Sequence, residues 1–322
     1  MQELPFTQLR PTPPIIRSRL ALEVASEIVG YRGAQAQARI TLLQQGSAKA
    51  DLCLFGSNAP SAIPEVARGE VQLAIVNPST VLALAYRGKG PFKEPLPVRT
   101  ITVLPSPDQF VFALAERTGC TSLQDVRDRR YPLKVTVRAQ ADHGGHVVID
   151  EVLGQYGFSM EDIVSWGGEI HRHPNIPTNE PKAVERGEID AIFDEAVANW
   201  VPEAHQVGMH LVSLDEPVLQ KLEEMGFRRA RVSRDQYPEL PKDVDFMTLD
   251  FSGWAVFTHA DTSDELVHMI CNALEARRDR IPWEDPGPLP LDRMCIDAPE
   301  APLPAPLHPA AEQFWRARGY LP

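Results

Sequence analysis

The run Ala141-Asp142-His143-Gly144-Gly145-His146 puts two imidazoles and a carboxylate around a glycine pair, between an apolar stretch that reads as a strand and a periodic stretch that reads as a helix. Backbone N–H groups at such a helix start are unpaired and sit at the positive end of the helix dipole, so they can hold a carboxylate. His143 and His146 can add donors, and Asp142 can cap the helix or orient a ring. An exposed helix start with solvated histidines accounts for the same residues. Asp194-Glu195 follows a buried apolar run, at the strand end where open α/β sheets take ligands. The pair can meet a ligand amine, orient a histidine, serve as acid and base, or only cap the next helix. Ser57-Asn58 and Asn77-Pro78-Ser79 stand before two helices at the same sheet edge, as ligand contacts or as N-caps. Arg17 and Ser18, placed ahead of the first helix, are candidates on topology alone, and Trp254 can supply a flat wall or core packing.

His171 and His173, on a loop after Trp166-Gly167-Gly168, could join His143, His146 and Glu195 in the nitrogen and oxygen set that a divalent metal takes. The spacing matches no zinc motif, so a metal is the alternative to a site with no cofactor. GxGxxG, P-loop, GxSxG and HExxH patterns are absent, which leaves nucleotide binding, phosphoryl transfer and serine or zinc hydrolysis without a motif.

These residues need elements to position them, and the chain alternates strand-like and helix-like segments throughout. Helices are expected at Arg19 to Val29, Ser61 to Arg68, Ser79 to Tyr86, Thr121 to Arg127, His146 to Tyr156, Glu180 to Arg186, Ala196 to Gln206, Glu216 to Met225, Ser263 to Arg277 and Ala310 to Arg318. Strands are expected at Ala38 to Leu43, Leu52 to Phe55, Val71 to Val76, Ile101 to Leu104, Phe110 to Ala115, Leu133 to Val137, Ile163 to Trp166, Ile189 to Phe193, His210 to Val212 and Gly253 to Thr258, in mainly parallel sheets. The last forty residues are broken by prolines, yet Leu289, Leu303 and Leu307 are apolar enough to dock that tail on the body.

With 322 residues the chain is long enough for about two domains, and 43% hydrophobic with 24% charged residues is ordinary globular composition. A net charge of −12 repels phosphate backbones, so nucleic acid is not an expected partner. No apolar stretch approaches the roughly 20 residues of a membrane span. The N-terminus lacks the basic and apolar regions of a signal peptide, which points to the cytoplasm for the chain as printed and to the periplasm if an export signal has been removed. The widely separated Cys53, Cys120, Cys271 and Cys295 read as core thiols.

The order of these segments resembles the TAXI class of solute receptors from tripartite ATP-independent periplasmic (TRAP) transporters. The residues that carry the resemblance are Arg68 to Asn77 (RGEVQLAIVN), Thr121 to Val126 (TSLQDV), Glu185 to Phe193 (ERGEIDAIF), Leu240 to Val244 (LPKDV) and Leu307 to Ala311 (LHPAA). It implies a type II periplasmic binding protein fold: two α/β lobes, a ligand cleft between them, and hinge closure about two crossing strands, Phe110 to Ala115 and Gly253 to Thr258. The division is then 1–112 for the first part of lobe 1, 113–252 for lobe 2, and 253–322 for the return to lobe 1 with the Pro-rich tail. The implied function is binding of a small carboxylate-bearing molecule by Arg17, Ser18, Ser57, Asn58, Asn77, Ser79, His143, Gly144, Gly145, His146, Asp194, Glu195 and Trp254, with a membrane permease as partner only if the chain is exported. The chain departs from the family's glycine-rich turn at Ala141 to His146. That histidine-bearing replacement is more like the dihydroxyphthalate decarboxylases of the same architecture, which implies an alternative: a cytoplasmic, metal-assisted lyase using His143, His146 and Glu195 on an aromatic acid. A cytoplasmic metabolite sensor is a third reading.

Overall fold

The computed structural model describes residues 13–29, 37–43, 51–173, 180–238, 240 and 245–322. Positions 10–12 of the segment before the first helix, and 241–244 of one family-like segment, lie outside the described residues.

The first lobe opens with helix α1 (Pro13–Val29), which starts earlier than Arg19 because Pro13 and Pro14 suit the first helical turn, where no N–H partner is needed. Strands β1 (Ala38–Leu42) and β2 (Leu52–Gly56), helix α2 (Ala62–Ala67), β3 (Leu73–Val76), α3 (Ser79–Arg87) and β4 (Val98–Leu104) follow. The chain then crosses to the second lobe through Pro105 to Asp108. There it forms β5 (Gln109–Ala115), α4 (Leu123–Arg129), β6 (Lys134–Arg138), α5 (Gly144–Tyr156), α6 (Met160–Ser165), β7 (Glu169–His173), α7 (Glu180–Glu185) and β8 (Ala191–Asp194). The lobe closes with α8 (Val197–Gln206), β9 (Met209–Leu211), α9 (Glu216–Met225), β10 (Arg229–Ser233) and β11 (Asp245–Asp250). Phe251 to Gly253 return the chain to the first lobe, where β12 (Trp254–His259), α10 (Asp264–Arg277), α11 (Leu291–Met294) and α12 (Pro309–Arg318) complete it.

The two lobes are two sheets, ordered β1-β2-β3-β12-β4 and β10-β11-β5-β8-β6-β7, with β9 also paired to β5. The α/β two-lobed architecture is therefore as expected, but the sheets are mixed and not mainly parallel. Each strand that follows a crossing enters the interior of its sheet against the grain: β12 is antiparallel to β3 and β4, and β5 to β8, β9 and β11. The crossings themselves are the short segments before β5 and β12, since both strands lie wholly within one sheet.

Alternation along these central strands builds a core on each face. Phe110, Phe112 and Leu114 of β5 point into one cluster with α5 and α9, while Val111, Ala113 and Ala115 point into another with α8. In β12, Ala255 and Phe257 join the α2 and α3 side, and Val256 joins α10 and α12. The tail docks as its leucines imply: Leu289, Leu291, Met294, Phe314 and Trp315 fill the outer core, and Trp315 Nε1 donates to the Ile101 carbonyl at 2.9 Å. Cys120, Cys271 and Cys295 are buried and Cys53 is half-buried. Among the described residues no helix is long and apolar enough to cross a membrane.

Ile163 to Trp166, expected as a strand, is the end of α6, because Ser159 and Asp162 cap each other's backbone in a reciprocal box at its start. The histidine-rich segment after it, expected as a loop, is the edge strand β7, pairing Thr136 with His171 and Arg138 with His173.

Candidate functional site

A cavity of about 360 Å³ lies where the two sheets and both crossings meet, lined by Asn77, Ser106, Pro107, Asp108, Glu195 to Asn199, Tyr237, Trp254 and Glu284. Most come from a strand end, a helix start or a crossing, where the backbone turns and side chains are released from the sheet, while Tyr237 and Glu284 come from loops. Asn77 follows β3, Glu195 follows β8, Trp254 opens β12, and Asp108 ends the first crossing. Of the residues singled out in the sequence, Asn77, Glu195 and Trp254 are brought together here.

Behind the wall lies a buried charge network. Arg138 of β6 donates to Asp194 Oδ1 at 2.9 Å and to Glu195 Oε1. His143 Nε2 stands 3.9 Å from the same Glu195 oxygen, and its ring stacks on Phe251 of the second crossing. Burial depresses His143 to about 4, so the ring is neutral, and its Nδ1 accepts from Gly145 N at 3.1 Å. Burial, and then the adjacent Glu195, raise Asp194 well above the carboxylate range. Burial opposes ionisation of Glu195 too, but hydrogen bonding to Asp194 and the charge of Arg138 outweigh it and hold Glu195 below its ordinary value. The two acids are thus pushed in opposite directions, Asp194 toward the protonated form and Glu195 toward the ionised one.

Neither acid caps α8 with its side chain. Asp108 does this from across the crossing: its two carboxylate oxygens accept from Ala196 N at 3.0 and 2.9 Å. Ala196 itself sits at φ 59°, a left-handed conformation that costs a non-glycine residue of order 1 kcal/mol. Desolvation, with Glu195 close by, lifts Asp108 to about 7. Asp108, Arg138 and Tyr237 are members of the site that the sequence reading missed.

The other candidates do structural work. Ser57 Oγ accepts from Ala59 N at 2.9 Å, and Asn58 Oδ1 accepts from Gln140 Nε2 at 2.7 Å, joining the lobes. Ser79 Oγ donates to the Ser252 carbonyl at 2.9 Å, tying α3 to the second crossing. Gly144 lies against the Asn77-Pro78 turn so closely that a Cβ would stand 2.4 Å from the Asn77 carbonyl oxygen. Asp142 reaches Ser61 of the first lobe, accepting from its N at 3.3 Å and from its hydroxyl. The glycine-rich turn is therefore where the lobes meet.

Arg17 and Ser18 are inside α1, not ahead of it, and exposed; α1 is tied to α10 by Arg277 Nη2 and Glu23 Oε1 at 3.4 Å. The histidines do not gather at one point, although the rings of His143 and His146 meet edge to face with centroids 6.4 Å apart. His146 Nε2 is 3.0 Å from the Gln140 carbonyl oxygen, and His146 lines a separate pocket of about 410 Å³ with Asp150, Glu161 and Arg172. His171 and His173 sit on β7, His171 Nε2 being 3.3 Å from Glu169 Oε2. The five residues proposed as metal ligands are thus spread over three places, and among the described residues no three His, Cys, Asp or Glu side chains are gathered to hold a metal ion.

The sequence pattern of the NMT1-like family matches residues 56–319, so the chain belongs to that family. No curated protein matches it. Among solved structures, it is similar to the alkanesulfonate-binding protein SsuA from Xanthomonas axonopodis pv. citri bound to MOPS, with 14% identity, 52% of this chain and 58% of that chain covered, and a TM-score of 0.29. For the periplasmic aliphatic sulphonate binding protein SsuA from Escherichia coli the values are 16%, 48%, 44% and 0.29. For a TctC solute binding protein from Polaromonas they are 12%, 66%, 66% and 0.35. The chain thus spans about half the length of the two SsuA proteins.

Proposed function

We propose that this protein is a solute-binding receptor that closes on a small molecule between its lobes and releases it unchanged. One observation carries the reading: the cavity is walled from both lobes and from both sides of the hinge, by Asn77 and Trp254 on one side, Glu195 and Tyr237 on the other, and Asp108 between them. A ligand there touches every part that must move for the lobes to separate, so binding energy is coupled to closure. Membership of the NMT1-like family, and the TAXI-like order of segments, support the same reading. If the chain is exported, its partner is a membrane permease; retained in the cytoplasm, the same closure would report a metabolite level.

A carboxylate ligand is what the TAXI resemblance implies. It would find the Asn77 amide and the Trp254 indole as donors, and would face Asp108, Glu195 and Glu284. The lyase alternative needs a histidine in the wall of this cavity, and neither His143 nor His146 lines it.

The test is a thermal-shift screen of metabolites followed by mass spectrometry of each stabilising compound after prolonged incubation. The expected result is stabilisation that disappears in Asn77→Ala and Trp254→Ala, with the compound recovered intact. A compound consumed with turnover would replace the receptor with an enzyme.

A further inference from the structure

We infer that the ligand of this cleft is a small organic cation, an amine or ammonium compound, with its positive end between Glu195 and Asn77 and its body along Trp254. The inference rests on the receptor reading and names the ligand class for it. The cavity wall holds three carboxyl groups, those of Asp108, Glu195 and Glu284, and neither lysine nor arginine. Arg138 is engaged behind the wall by Asp194 and Glu195, and Arg293, in the adjoining pocket that shares Glu284, by Glu300.

Two acceptor atoms in this wall have no partner. One is Glu195 Oε2, on a residue only 8% exposed; the other is Asn77 Oδ1. Buried acceptors are almost always satisfied in folded proteins, so two orphans lining one cavity mark the place of an absent donor. They belong to residues of opposite lobes that line the same cavity, so a donor entering it has an acceptor to satisfy on each lobe. A charged donor suits Glu195, which its surroundings keep ionised.

At the helix start that could have received an anion, the Ala196 N–H at the positive end of α8 is already bound by the protein's own Asp108 carboxyl group, which an incoming anion would have to face. A bare metal ion fits poorly as well: the space is about 360 Å³, it has an indole along one side with 41% of Trp254 exposed, and it lacks a three-ligand cluster among the described residues. A polyatomic cation uses all of these features, the carboxylates for its charge and the indole for its methylenes or ring.

The full chain is titrated calorimetrically with size-matched probes of opposite charge: 2-phenylethylammonium against 3-phenylpropanoate, and n-butylammonium against pentanoate. In parallel, the protein isolated from its native host is analysed by native mass spectrometry. The ammonium member of each pair is expected to bind at least tenfold tighter. Glu195→Gln should weaken it by at least tenfold, and Glu284→Gln, at an exposed position where glutamine can still accept from Ser106 Oγ, by roughly two- to fivefold. Tighter binding of the carboxylates would overturn the cation while leaving the receptor intact. Should the probes stay silent, a co-isolated cation supports the inference and a co-isolated anion overturns it. No binding and no co-isolated molecule would overturn the receptor reading, and the ligand class with it.

Discussion

Among the described residues Arg138 is the one guanidinium contacting the Asp194 and Glu195 pair, and all three side chains are nearly out of water. Replacing it by Met would keep much of the volume and leave two carboxyl groups without a counter-ion, a loss that costs about 3 to 5 kcal/mol for a buried pair. Urea unfolding at pH 7 should show that loss, and an Arg138→Met protein of native stability would mean the network is solvated. Asp108 makes a second prediction, of opposite sign to the usual carboxylate. Its folded value is lifted to about 7 by burial and by Glu195, so between the ordinary carboxylate range and pH 7 the folded state binds the extra proton. The stability this contributes is fully present below about pH 4 and is lost as pH rises through 7. His143, His146, His210 and His308 are held below their ordinary value and give the opposite trend, while Asp250 and Asp194 are raised and give the same one, so the part due to Asp108 is the difference between two proteins. As pH rises toward 8 the melting temperature of the native protein should fall relative to that of Asp108→Asn; parallel curves would remove Asp108 as a source. Glu195, Asn77 and Trp254 were legible because each stands where an apolar run ends. Asp108 was not, since Pro105-Ser106-Pro107-Asp108 reads as a connector, and Tyr237 follows a strand whose Arg229-Ala230-Arg231-Val232-Ser233 sequence hides it among charges.

Two of the three glycines of helix α5 make opposite demands. Gly144 meets the first lobe, where a Cβ would stand 2.4 Å from the Asn77 carbonyl oxygen and 2.5 Å from Pro78 Cδ, whereas a Cβ on Gly154 would have nothing within 4 Å. Gly154→Ala should therefore stabilise the protein by roughly 0.5 to 1 kcal/mol through helix propensity and unfolded-chain entropy. Gly144→Ala should push the lobes apart, seen as a larger radius of gyration by small-angle scattering and weaker ligand binding with the melting temperature of the second lobe little changed. Equal behaviour of the two variants would dissociate α5 from closure. Elements with apolar periodicity and a clear stop, such as α5 before Gly157 and α9 before Gly226, were readable from sequence. The exceptions have local causes. A capping box turned Ile163 to Ser165 into helix, and β10 and β11 carry charged residues such as Arg229, Arg231 and Asp245 with little apolar alternation to announce them. The antiparallel entry of β5 and β12 was invisible because it depends on the partner sheet.

Between the lobes the covalent links are the two crossings, bound to each other where Asp108 N donates to Ser252 Oγ at 3.0 Å and that hydroxyl donates back to the Asp108 carbonyl at 3.1 Å. Such a joint permits rotation while fixing the pivot. Away from it, closure is held by Leu84 and Phe92 of the first lobe against the second lobe's core, and by two polar latches, Asn58 with Gln140 and Ser61 with Asp142. The exposed Ser61 latch is worth at most about 1 kcal/mol, so its removal should shift the open to closed ratio by no more than roughly fivefold. That is small enough to leave the fold intact and large enough to measure. Spin labels at the exposed Arg68 and Glu161, one per lobe, should report a longer and broader distance in Asp142→Ala than in the native protein, narrowing again when ligand is added. Because ligand binds the closed form, its apparent Kd must rise in Asp142→Ala by the same reduction in the closed fraction that the distances give. An unchanged distance distribution with weakened binding would place Asp142 in direct ligand contact and deny the latch; a changed distribution with unchanged Kd would mean that the ligand binds without closing the lobes.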